Sequence, residues 1–424
     1  MSVDLLVWNA RLADGREGIS ILVKDGRIVD IGVNLEAEAE ETIDAKGNLV
    51  TPPFIDSHFH LDSTLSLGKP RLNRSGTLLE GIDLWGELKP QLTADVILER
   101  TRKLVTWSIA RGTLAIRSHV DVSDPTLINV EALLQLREEM KEYVDIQLVA
   151  FPQDGVFRSP GTEERLKRAL DMGVDVVGGI PHFERTMEDG RRSVGTLCRI
   201  AAERGLMVDM HCDETDDPMS RHVETLAAET IRHGLQDRVA GSHLTSMHSM
   251  DNYYVSKLIP LMAEARLHAI PNPLINIALQ GRHDIYPKRR GMTRVRELLA
   301  AGVNVSFGHD CVMDPWYSLG SHDMLEVAHM ALHVGHMTGI DEMKAMFDCV
   351  TASAAKTLQL DGYGLEKGCN ADFVVVDARD PVEALRLKPP RLYVVRRGNI
   401  LSRGKPLVSD LRLDGTSFEV DFRD

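Results

Sequence analysis

Apolar and polar positions along the chain follow two different patterns, one at the ends and one in the middle. Near the start, Ile21-Leu22-Val23, then Lys24-Asp25-Gly26-Arg27, then Ile28-Val29 reads as strand, Asp-Gly turn, strand. Near the end, Tyr393-Val394-Val395, Arg396-Arg397-Gly398-Asn399 and Ile400-Leu401 repeat that pattern, preceded by the apolar run Phe373-Val374-Val375-Val376. Neither end alone has enough strands to bury a face. The two are therefore expected to pair as one small β-sandwich domain, made of residues 1–50 and 361–424.

Between them, short apolar runs alternate with helical stretches. The predicted strands are Pro53–Ser57, Thr113–His119, Asp145–Phe151, Val174–Ile180, Leu206–His211, Arg238–His243, Leu267–Ile270 and Val303–His309. Helical periodicity falls at Ala94–Arg111, Val130–Glu142, Gly195–Arg204 and Met250–Ala265, and Gly112, Gly173, Gly205 and Gly302 stand where helix C-termini are capped. Eight strands alternating with helices predict an α/β fold, a (β/α)8 TIM-type barrel over residues 51–360. A long polar connection, about residues 61–92, interrupts the first β/α unit and is a candidate active-site cover.

Composition narrows the function classes. With 49 Lys+Arg against 63 Asp+Glu, the 424-residue chain carries a formal charge of −14. That balance argues against nucleic acid or an anionic membrane surface as partner, and Lys288-Arg289-Arg290 is more simply a loop or subunit contact. Cys198, Cys212, Cys311, Cys349 and Cys369 are scattered, odd in number and free of Cys-x-x-Cys, which suits a reducing cytoplasm. The start, Met1-Ser2-Val3-Asp4-Leu5, lacks the basic and apolar regions of a secretory signal, and no apolar stretch is long enough to span a bilayer. The expectation is a cytoplasmic protein.

Candidate chemistry lies where the predicted barrel strands end, the face on which barrel active sites are built. The strand ends read His58-Phe59-His60, His119, Gln153, His182, His211, His243 and His309-Asp310. In His58-x-His60 the period of two puts both imidazoles on one side. His211 and Asp310 add a third nitrogen and a carboxylate, a donor set suited to Zn2+ or Fe2+ and not to oxygen-loving Ca2+ or Mg2+. His119, His182 and His248 fit a functional or a structural role equally, and His329, His333 and His336 have the spacing of a packed amphipathic helix. Glu214, three residues beyond His211, lies close to the metal without having to ligate it. There it can carry a proton to a leaving group or a ring nitrogen, as deamination of an aromatic amidine requires.

These residues resemble a known family. Pro52-Pro53-Phe54-Ile55-Asp56-x-His58-x-His60, His211-x-x-Glu214, Ser242-His243 and Gly308-His309-Asp310 look like the amidohydrolase superfamily, and within it the bacterial cytosine deaminases. Val149-Ala150-Phe151-Pro152-Gln153, Pro181-His182-Phe183-Glu184 and Asp314-Pro315-Trp316-Tyr317 extend the likeness over nearly the whole chain, weakest in its last sixty residues. The resemblance implies one divalent transition metal, Fe2+ or Zn2+, held by His58, His60, His211 and Asp310. It implies that His243 and Asp310 handle the protons of the attacking water. Glu214 would protonate the pyrimidine N3, and Gln153 would read the O2/N1 edge, with Leu78, Phe151 and Trp316 lining the pocket. It also implies a free pyrimidine base as the partner and a homo-oligomer. No lysine stands in Gly178-Gly179-Ile180-Pro181, where two-metal members carry one.

One position departs from that pattern: Cys311 stands where close cytosine deaminases carry a second acid, near C5 of the bound base. A thiol behaves as a small hydrophobe. The expected reaction is therefore 5-methylcytosine to thymine, with cytosine to uracil also open. Deamination of another cyclic amidine, such as isoguanine or an aminotriazine, is the alternative.

Overall fold

The computed structural model describes residues 2–423. Eight parallel strands form one continuous sheet: β1 (Phe54–Phe59), β2 (Thr113–Asp121), β3 (Asp145–Phe151), β4 (Val176–Gly179), β5 (Met207–Cys212), β6 (Val239–His243), β7 (His268–Ile270) and β8 (Asn304–Val305). These strands are buried on both faces, which is why they read as near-continuous apolar runs. The ladder of β8 ends four residues short of the predicted strand. Its continuation bonds alternately to both neighbours, Gly308 N to Pro271 O at 3.2 Å on one side and Asp310 N to His58 O at 2.9 Å on the other. A bridge between Phe59 and Asp310 thus closes the barrel. Gly308 permits this approach, since a Cβ there would lie 2.4 Å from the Asn272 Oδ1 and 2.5 Å from the His58 Cβ.

Helices follow the strands as the periodicity predicts. Thr93 caps Ala94–Ala110 through Val96 N, and Gly205, at φ 68, ends Met187–Arg204. The latter helix begins two turns earlier than the apolar pattern indicates. Its first half packs small residues, Gly190 and Ser193, into the protein among charged neighbours, so no apolar stripe marks it. The connection after β1 holds helix α1 (Leu78–Leu88), which buries Leu84, Trp85 and Leu88. Where α1 passes Trp316, a Cβ on Gly81 would lie 2.3 Å from the indole.

The chain ends meet in a second sheet. Ser2–Leu12 pairs with Ile19–Lys24, Glu38–Asp44 and, at its far end, Leu49–Thr51, which pairs antiparallel with Phe373–Val376. Alternation sets the role of that last strand: Phe373 and Val375 join the core of the terminal β layer, while Val374 and Val376 join the barrel core. Arg396 ties the layers, pairing with Asp372 at 2.9 Å and with Asp145, at the start of β3, at 2.8 Å. Ser409–Leu413 and Thr416–Val420 form a separate exposed hairpin. Among the described residues, no helix is long and apolar enough to cross a membrane.

Candidate metal centre and active site

Four donor atoms converge at the C-terminal mouth of the barrel. His60 Nε2 lies 3.0 Å from His211 Nε2, and the Asp310 Oδ1 lies 3.1 Å from His58 Nε2 and 3.4 Å from His60 Nε2. Ligands of a tetrahedral ion bound at 2.0–2.1 Å stand roughly 3.4 Å apart, so this spacing suits a shared cation. His58 Nε2 and Asp310 Oδ1 are buried and have no hydrogen-bond partner among the described residues. Buried unpaired donors of this kind are costly unless something binds them. Burial holds the His58, His60 and His211 imidazoles below their ordinary pKa, leaving them neutral and able to ligate. The set could hold one divalent transition ion.

The surroundings extend the group in two directions. His119 and His243 have ring nitrogens close enough to join overlapping donor sets with His58 and His211. His119 Nε2 stands 3.7 Å from Asp209, whereas His243 Nδ1 stands 3.4 Å from a Glu214 oxygen and 2.9 Å from the Asn276 amide nitrogen. Burial, reinforced by the charge of Asp310, pushes the Glu214 carboxyl well above the usual carboxylate range, which favours its protonated form. A buried acid that retains its proton beside a buried neutral imidazole can deliver that proton to a bound molecule.

A cavity of about 510 Å3 opens over this centre. His60, His211, Glu214, His243 and Asp310 line it, together with Leu78, Phe151, Gln153, Cys311 and Trp316. His58 lies beneath it, fully buried. Phe151 also stacks on the His211 ring, with centroids 4.0 Å apart. Leu78, at the start of α1, makes the connection after β1 a wall of the cavity. Cys311 is buried with Ile275 and Leu279, and Leu78, Trp316 and Tyr317 pack on that group. Burial pushes its thiol well above the usual range, so it is neutral.

Of the remaining histidines, His182 lines the cavity and its Nδ1 lies 3.2 Å from the His211 carbonyl, while His248 stands 3.1 Å from Asp216. His329 and His333 lie on the helix Met324–Val334, where their Nδ1 atoms contact the carbonyls of Leu385 and His329. Arg289 and Arg290 fix loops, through Asp284 and the Val334 carbonyl.

Residues that the strand-end pattern does not mark hold the centre in place. Ser242 Oγ lies 2.9 Å from His58 Nδ1 and donates to Asp209 at 2.6 Å, which directs His58 Nε2 toward Asp310. Asp209 is paired at 3.0 Å with the buried Arg117. Asp56 accepts from the backbone of both His58 and His309 and contacts His322 at 2.8 Å. Asp56 and Ser242 stand in the motifs that carry the family resemblance, whereas the signal for Asp209 is periodicity: it shares the inward face of β5 with His211, two residues on.

Comparison with known proteins gives the family of the chain. The model of the amidohydrolase family matches residues 41–408. N-isopropylammelide isopropyl amidohydrolase of Pseudomonas sp. (strain ADP) is 27% identical over 417 residues, covering 96% of this chain and 99% of that protein. Pterin deaminase of Rhizobium rhizogenes is 30% identical over 411 residues, covering 96% of this chain and 92% of its own. The crystal structure of 5-methylcytosine deaminase from Klebsiella pneumoniae liganded with 5-fluorocytosine matches with a TM-score of 0.94 and 40% identity. That match covers 97% of this chain and 100% of the other. With the barrel, the histidine–aspartate centre and a match over most of its length, the chain belongs to the amidohydrolase family.

Proposed function

We propose that the protein hydrolytically deaminates a free cytosine-type pyrimidine, with 5-methylcytosine to thymine preferred and cytosine to uracil a slower reaction. His58, His60, His211 and Asp310 would hold one Fe2+ or Zn2+, and such an ion, when bound, lowers the pKa of a water and so supplies the nucleophile. Asp310 and His243 take up the proton that the water gives as its oxygen bonds to C4. Glu214 gives its proton to N3 and then relays one to the amino group. The C4–N bond breaks, ammonia leaves, and the product is the 4-oxo pyrimidine. The Gln153 amide reads the O2/N1 edge, and Phe151, Leu78 and Trp316 enclose the ring.

The observation that carries the substrate choice is the setting of Cys311, a neutral, buried thiol grouped with Ile275 and Leu279 on the cavity wall. An apolar wall favours a methyl group at C5: burying one contributes roughly 0.8 kcal/mol, and pockets discriminate one methylene by about 1–3 kcal/mol. The strong likeness to a 5-methylcytosine deaminase supports the same choice. Measuring kcat/KM for 5-methylcytosine and for cytosine on one preparation tests it. Equal or better activity on cytosine sinks the preference.

A second reading is deamination of a larger or different cyclic amidine, such as isoguanine or an aminotriazine. Its support is the cavity of about 510 Å3, roomier than one small ring needs, and relatives named for N-isopropylammelide and pterin. Turnover of such a compound with no turnover of either cytosine would replace the first reading with this one.

A further inference from the structure

Glu214 follows a residue whose backbone is in the left-handed region, Asp213 at φ 55. Asp adopts this region more readily than most residues, yet it still needs support. The support comes from the side chain of Asp213 itself, which is fully buried. Its Oδ1 accepts from the Ser220 hydroxyl at 2.6 Å, from His222 Nδ1 at 2.7 Å and from the His222 backbone N–H at 3.2 Å. Its Oδ2 accepts from Val223 N at 2.9 Å. The carboxylate is thereby docked on the first turn of the helix His222–His233. The Asp213 carbonyl is held from the other side, accepting from Ser246 N at 3.0 Å and from Thr245 Oγ1 at 3.1 Å.

Residues 214–220 form an arc whose Glu214, Asp216 and Ser220 line the cavity, and both feet of the arc meet at Asp213 and His222. The His222 ring has no slack. A Cβ on Gly190 would lie 2.2 Å from its Nε2, so the ring is seated against the helix Met187–Arg204 on the side away from Asp213.

We propose that His222, acting through Asp213, is the positioning residue for Glu214, fixing where the acid stands relative to the metal donors. The inference rests on the assignment of Glu214 as proton donor in the proposed function. Neither His222 nor Asp213 touches the substrate cavity, so the effect belongs in kcat and not in metal or substrate binding.

The test uses metal-loaded full-length protein with the substrate it turns over best, and compares His222→Leu, His222→Asn and Glu214→Gln. Displacing a catalytic group by about 1 Å costs on the order of 100-fold, so His222→Leu is expected to lose kcat by about that factor, with KM and metal content within about threefold. His222→Asn carries an amide N–H where Nδ1–H lay and is expected to recover most of the rate. If His222→Leu does not accumulate as folded protein, His222→Gln takes its place, because its amide reaches the Nε2 position and misses Asp213. Wild-type kcat in His222→Leu, or equal kcat in the Asn and Gln variants, alongside an inactive Glu214→Gln overturns the positioning role alone. An active Glu214→Gln overturns the assignment of Glu214 itself, and the positioning role with it.

Discussion

Cys311→Asp puts the account of substrate choice under the most direct strain. The thiol is 3% exposed, grouped with Ile275 at 1% and Leu279 at 6%, and Asp310 and Asp314 stand close enough to raise its pKa by their charge. A carboxylate in its place meets two apolar side chains and three acids, Asp310, Asp314 and Glu214, so it needs a water on the cavity side to stay ionised. Cytosine, with hydrogen at C5, leaves room for that water, whereas 5-methylcytosine displaces it. The variant therefore loses the methyl contact, roughly 0.8 kcal/mol, and adds the desolvation cost of a buried acceptor left without its water, about 1–3 kcal/mol, against the methylated base. Together these shift the kcat/KM ratio toward cytosine by about 2–4 kcal/mol, roughly 30- to 800-fold. The assay is ammonia release from each base by wild type and variant, with metal content and thermal midpoint measured on the same samples. A ratio that moves less than about threefold in a folded, metal-loaded variant refutes the reasoning, since even one methyl contact is worth about that much.

Three further outcomes follow from the geometry. Ser242→Ala removes the group between His58 Nδ1 and Asp209, and metal affinity is expected to fall by about 10- to 100-fold in a chelator competition. Gly81→Ala drives a methyl to within 2.3 Å of the Trp316 indole, so α1 or Trp316 must move; KM is expected to rise more than kcat falls, and unchanged kinetics would argue against this wall as a substrate contact. His268 gives a pH dependence of stability. Burial first, then the charges of Arg117 and Lys356, lower its pKa to about 4, and the Asn304 amide donates to its Nδ1 at 2.8 Å, a contact that a protonated ring would lose. The unfolded chain takes up this proton near 6.5, so between about 6.5 and 4 it binds more protons than the folded chain, and stability falls as pH drops through that window. One such group costs roughly 2 kcal/mol by pH 5. His268→Gln should flatten the change in urea midpoint between pH 7 and 5, and an unchanged slope counts against the assignment.

The side chains that converge at the candidate metal centre were legible because a barrel translates sequence into geometry simply. Strand ends form one face, and period two keeps His58 and His60 on one side of it. That Glu214 lines the cavity could be read from its spacing to His211, and that Cys311 does from the resemblance at the position after Asp310. The groups that aim the donors were not legible in the same way. Ser242 lies 184 residues from His58 in the chain and reaches Asp209 across another 33, so the contacts that aim His58 form only between distant strands. Asn276 reaches His243 from the short helix Pro273–Leu279 after β7, a three-residue strand whose apolar run carries little pattern. The start of Met187–Arg204 was hidden for a related reason, since Gly190 is buried for the close approach of His222 and not for its own hydrophobicity. What sequence periodicity reports is which face is apolar. Which two polar side chains meet across that face is decided only when the barrel closes.

The measurement that tests the central claim most directly is product analysis of 5-methylcytosine incubated with the purified protein, with metal content determined on the same sample. The account predicts thymine and ammonia in equal amounts, about one iron or zinc per chain, and activity lost on chelation and restored by adding the ion back. A folded protein that carries the metal and forms neither thymine from 5-methylcytosine nor uracil from cytosine would contradict it.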